Sequence, residues 1–196
     1  MIRRLPLIPT IVVLIAVAVM IALGFWQLDR RGQKLAQIER YKQSVQMSAD
    51  VPFPRDTADF ESALYRRSAV DCIKVLSTRS TASRNLEQTS GLAQVANCRL
   101  AGGGETEVFL GWTQRFQSID WPGGEVSGFV APSGKGVRLI ASPPGFGLLP
   151  LPPPDPREVP NNHFAYAVQW FFFAATALII YALVLRKVWR EEEEAD

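Results

Sequence analysis

The chain has 196 residues, 21 Lys and Arg against 19 Asp and Glu, and 47% hydrophobic residues, a near-neutral and ordinary composition until one asks where the apolar residues lie. One histidine and two cysteines are too few for a zinc set or a Cys/His catalytic couple, no glycine loop of the phosphate-cradling kind is present, and the carboxylates are scattered, so an enzyme is not expected. The basic residues lie beside the apolar ends and do not interleave with aromatics in the middle, which argues against nucleic acid.

Residues 1–4 are a short basic tail with Arg3 and Arg4. Leu5 to Leu28 then gives 24 residues without a formal charge, enough to cross a hydrocarbon core of about 30 Å as a helix. Ala16-Val17-Ala18 resembles a signal-peptide cleavage site, but it lies inside the apolar run with no polar region before it, so the segment reads as an uncleaved anchor. Over residues 29–48, Leu35, Ile38, Tyr41 and Val45 recur at three- and four-residue intervals, which predicts an amphipathic, basic extension of the same helix, weakened at Gly32. Its cations suit lipid phosphates, an acidic partner or plain solvation.

After Pro52 and Pro54 the pattern changes to short apolar runs between turn residues, which predicts one small antiparallel β domain over residues 49–142, a sandwich or a partly closed barrel. Strands are expected at Arg67 to Leu76, Leu92 to Leu100, Glu107 to Thr113, Glu125 to Ala131 and Val137 to Ala141. Gly102-Gly103-Gly104 and Pro132-Ser133-Gly134-Lys135-Gly136 close hairpins, and Trp121-Pro122-Gly123-Gly124 makes a turn. Both cysteines, Cys72 and Cys98, fall in this domain. An even number in an exported domain fits one disulfide, and two buried thiols are the other reading.

Residues 143–162 form a proline-rich strap, with eight of the fourteen prolines between Pro143 and Pro160, and are expected to be an extended spacer. Residues 163–185 predict a second transmembrane helix, of which Phe164 to Leu185 carries no charge, and residues 186–196 an acidic, solvated tail. The whole is an α+β membrane protein, two transmembrane helices flanking the β domain. Long loops obey the positive-inside rule weakly, whereas both short tails are basic next to the membrane, so both termini are expected in the cytoplasm and the β domain outside it.

That orientation brings the end of the first span and the start of the second to one level. Trp26 and Gln27 then meet His163, Tyr166, Gln169 and Trp170, with Asn161 placed to cap the second helix. The spacing puts His163, Tyr166, Trp170, Phe173 and Ala177 on one helical face, where a neutral imidazole above an aromatic wall suits the iron of a flat apolar ring. An interfacial belt of Trp, Tyr and His, with no ligand, is the competing reading. Polar Gln27 and Gln169 within a span favour a helix or cofactor contact over lipid.

Leu23-Gly24-Phe25-Trp26-Gln27-Leu28 followed by Arg30 and Lys34, Leu64-Tyr65-Arg66-Arg67, Gly111-Trp112, and Asn161-Asn162-His163-Phe164 with Tyr166, Gln169 and Trp170 resemble the Surfeit locus protein 1 family over nearly the whole chain. The resemblance implies an assembly factor for cytochrome c oxidase that binds haem a or helps insert it into the haem-bearing subunit, with that subunit and haem a synthase as partners. It makes His163 the candidate ligand of the haem iron, with Trp26, Gln27, Tyr166 and Trp170 as pocket or partner contacts. With four residues before the first span, the expected home is the bacterial plasma membrane, β domain periplasmic. Cys72 stands where the family often has Gly, and Glu107 to Leu110 replace a more polar approach to Gly111-Trp112, so no binding residue is carried over from the β domain. The alternative is a structural membrane protein whose β domain docks on another envelope complex without haem.

Overall fold

The computed structural model describes residues 6–117, 119–134 and 136–195, with side chains up to residue 191. The tail at residues 1–4, Lys135 of the second hairpin turn and the side chains of Glu192 to Glu194 lie outside the described residues. The described residues form two compact units, one made of residues 6–37 and 160–195, the other of Ile38–Val159.

In the first unit, α1 (Leu7–Gln46) runs from the apolar segment into its basic extension without a break, and α3 (His163–Ala195) continues through the acidic tail. Along α1 the less exposed positions include 10, 13, 17, 20, 24 and 27, and along α3 they include 163, 167, 170, 174, 177 and 181, alternating steps of three and four. Such spacing is the seam of two helices packed side by side. Thr10 meets Tyr181 hydroxyl to hydroxyl, Gly24 meets Phe171, and Gln27 meets His163, so rising numbers on one helix meet falling numbers on the other and the pair is antiparallel. Gly24 is where they approach most closely, since a Cβ there would lie 2.5 Å from Cε1 of Phe171. Small residues at such points let helices pack without a hydrophobic driving force. The remaining faces are apolar and bare, with Ile8, Ile15, Phe172 and Ile179 all at least 60% exposed. Only 11% and 6% of the two most apolar stretches is buried, whereas the core helix of a soluble protein would be mostly covered. This is a membrane protein.

The second unit contains a short helix, α2 (Thr57–Ala63), which the sequence did not suggest, and five strands: β1 (Arg67–Arg84), β2 (Ser90–Leu100), β3 (Glu105–Thr113), β4 (Gly124–Ser133) and β5 (Gly136–Ala141). All five expected strands are present. The first is far longer than expected because it has two partners in succession, β4 along Arg67–Cys72 and β2 along Cys72–Arg84. The order β1-β2-β3-β5-β4 closes on itself. The sheet is mixed and not wholly antiparallel, for a ring of five strands cannot have every neighbour reversed. The exception is β3 with β5, a parallel contact of only two residue pairs, Val108 with Leu139 and Phe109 with Ile140. Inside lie Val70, Ala96, Leu100, Val108, Leu110 and Leu139 with Trp121, and Cys72 and Cys98 are joined there by a disulfide.

The proline-rich strap does more than space. Gly145 N–H donates to Leu110 O, and Trp112 and Leu149 exchange two backbone hydrogen bonds of 2.7 and 2.9 Å, so the strap extends the sheet along β3 where β5 stops. Leu148 enters the barrel core and Leu151 packs in a second cluster with Val95, Phe109, Trp112 and Ile140. Gly111 is required for this approach, because a Cβ there would lie 2.6 Å from Cβ of Leu148. Ahead of β1, Tyr65 takes a left-handed backbone (φ 66°), donates its N–H to Val130 O, and lays its ring 4.8 Å from that of Tyr41.

Candidate functional site

The antiparallel pairing of α1 and α3 carries the chain's one histidine to the side of Gln27. Nδ1 of His163 lies 2.8 Å from Oε1 of Gln27. An amide oxygen only accepts, so the ring donates from Nδ1, and the tautomer that this bond selects carries its lone pair on Nε2. This is the arrangement found behind metal-bound histidines, where a bond at one nitrogen fixes the tautomer and aims the other. Among the described residues no hydrogen bond is made at Nε2, and the imidazole is half-buried.

One turn further along α1 from Gln27, the Arg31 guanidinium sits 4.7 Å from the centre of the Phe164 ring. Arg30 lies over Trp26 at 5.6 Å and also donates to Gln33, which in turn donates to Asp29. Lys34 donates to Gln37. Deeper in the span, the Phe25 and Phe171 rings meet edge-on at 5.4 Å.

Of the residues singled out by sequence, the structure brings His163 and Gln27 together, with Trp170 half-buried on the seam and edge-on to Phe173. Trp26 and Tyr166 are 49% and 52% exposed and point away from the partner helix, and Gln169 is exposed too. The face of α3 turned to α1 runs through Ala167 and Ala174, both almost fully buried, and not through Tyr166 and Phe173. Asn161 is not the cap: the residue before the helix is Asn162, whose carbonyl accepts from Tyr166 N–H, and Asn161 Oδ1 is buried without a hydrogen bond. Sequence reasoning missed the pairing of Arg31 with Phe164. The signal was available, because Arg31 lies four residues after Gln27 and Phe164 directly follows His163.

The donor set suits a haem iron. An imidazole that donates from Nδ1 and makes no hydrogen bond at Nε2 among the described residues presents the donor atom an axial ligand needs, and Trp170 and Phe173 meet edge-on along the same helix. Among the described residues, no cluster of three or more His, Cys, Asp or Glu side chains could hold a bare metal ion.

Fold and site thus define a two-helix membrane protein with a small closed β domain and a single oriented imidazole. The SURF1 family profile matches residues 14–175, and the chain belongs to the SURF1 family. This is a family of cytochrome oxidase assembly factors, not of enzymes. No curated protein matches the chain.

Proposed function

We propose that the chain assists assembly of cytochrome c oxidase by holding haem a through Nε2 of His163 and passing it to the haem-bearing subunit, with haem a synthase as the upstream partner. The observation that carries this reading is the Gln27–His163 hydrogen bond, which spends a polar residue of the first span on fixing the tautomer of the only histidine. Bound haem a would supply an iron that accepts the Nε2 lone pair. The protein's part is to hold the imidazole proton at Nδ1 and to keep apolar surface around the ring. No turnover is assigned to the chain itself. The β domain is placed on the periplasmic side of a bacterial inner membrane with both termini in the cytoplasm, a placement supported by the basic tails and by a disulfide that persists in oxidising compartments.

The test is optical. Purified in detergent from cells that make haem a, the protein should show a Soret band that His163→Ala abolishes. Gln27→Leu should weaken haem affinity by about 10–100-fold, the usual loss when the partner behind a ligating histidine is removed. A deletion strain should have low oxidase activity and an enzyme depleted of haem a. A colourless protein with normal oxidase spectra in the deletion strain would point instead to a β domain that docks on another envelope complex.

A further inference from the structure

We propose that Arg31 binds the propionate carboxylates of the haem whose iron His163 holds; the inference rests on the haem-binding reading above. Three cations, Arg30, Arg31 and Lys34, lie within about two turns of Gln27 on α1. Two are engaged by side-chain amides: Arg30 donates to Gln33 and Lys34 to Gln37. Arg31 forms no hydrogen bond and no ion pair with any described residue. Its guanidinium is held only by the face of Phe164, at 4.7 Å. A cation held at an aromatic face keeps its N–H donors available, and a guanidinium with free donors can receive a carboxylate through two parallel bonds.

Its position is the second half of the argument. Gln27 and Arg31 are four residues apart, so both lie on the same side of α1, and their partners His163 and Phe164 are consecutive on α3. The His163 imidazole and the guanidinium held on Phe164 are therefore drawn to consecutive residues in the first turn of α3, where the uncharged span gives way to charged residues. Haem has the same polarity, with a metal and an apolar ring at one end and two carboxylates at the other. A ligand entering ring-first would leave its acidic edge beside Arg31. The neighbouring Asp29 carboxylate accepts from Gln33 and forms no ion pair with Arg31.

The experiment titrates detergent-purified protein with haemin and with haemin dimethyl ester, whose carboxylates are blocked, reading the Soret band. Arg31→Gln should weaken haemin binding by about tenfold, the scale of one charge-assisted pair, and leave the ester unchanged. Arg31→Lys, which keeps the charge but loses the fork, should fall between, and Lys34→Gln should change neither ligand. Equal weakening of haemin and ester by Arg31→Gln, or no change in either, overturns the assignment while His163→Ala still abolishes the band. Repeating the titration in nanodiscs of neutral lipid separates a second source of anions: an Arg31 effect that appears only with anionic lipid assigns the guanidinium to headgroup phosphates and equally overturns it. If His163→Ala leaves the band intact, it is the haem site itself that fails, and the two failures are told apart.

Discussion

At the scale of single residues, the site depends on how closely two helices approach. The glycine at position 24 lets the Phe171 ring lie where a side chain would otherwise be. Gly24→Ala should overpack the pair, costing about 1–3 kcal/mol. We expect a lower melting temperature in detergent and, on the proposed haem-binding reading, weaker haem retention, both recovered when Phe171→Leu is added, because the smaller side chain makes room for the new methyl. In the second unit, burial raises the pKa of Tyr65 above its ordinary value of 10.0, reinforced by the nearby Tyr41, Glu158 and Asp155. A folded value above the unfolded one means that this contribution to stability is whole below pH 10 and is lost as pH rises towards the folded value. Ultraviolet titration of the phenolates should show a phase above pH 10 that Tyr65→Phe removes. The site itself was partly legible. A lone histidine and a glutamine within an apolar run both demand a partner, and they found each other. Which aromatics lie near them was not legible, because the sets 163/166/170/173 and 163/167/170/174 fit helical periodicity equally well. Helices packed at this distance choose the alanines, Ala167 and Ala174, which leaves Tyr166 and Phe173 outward.

At the scale of elements, the strap shows how proline count misleads. Proline cannot donate to a ladder, so a segment this rich in it reads as lying outside the sheet. Only Gly145 and Leu149 need donate, and neither is proline, so the strap pairs with β3 through the residues between its prolines. Leu148→Ala, at a position 7% exposed, should therefore destabilise the barrel by about 2–5 kcal/mol, as a core substitution would and a spacer substitution would not. Denaturant unfolding of the purified protein, followed through Trp112 and Trp121 fluorescence, checks it. β1 was underestimated for a related reason: Ser77 to Arg84 is polar on both sides, and nothing in it announces a strand until β2 is known to lie alongside. The disulfide closes a separation of 26 residues between two strands that are already adjacent. Its removal by Cys72→Ala with Cys98→Ala should cost about 2–4 kcal/mol, and a reductant should reproduce the loss in the native chain.

At the scale of the whole molecule, the antiparallel helix pair constrains everything said about sidedness. Because Thr10 meets Tyr181 and Gln27 meets His163, the start of the first span and the end of the second lie at one level, and the residues between the spans leave and return on the same side. The proposed placement of that side outside the cytoplasm rests on charge: Arg186, Lys187 and Arg190 flank the second span closely, while the segment between the spans is too long for its own cations to weigh heavily. The native cysteines are bonded to each other and do not react with maleimides, so a single introduced cysteine reports its own location. Leu86→Cys, at the exposed tip of the β1–β2 hairpin, should be labelled by a membrane-impermeant maleimide in cells with a permeabilised outer envelope and an intact inner membrane. Lys187→Cys should be labelled only after the inner membrane is opened. Labelling of Lys187→Cys alone would invert the sidedness and put the disulfide in a reducing compartment. Labelling of both would place the two ends of α3 on the same side of the lipid and remove the second span, and with it the means of holding His163 against Gln27.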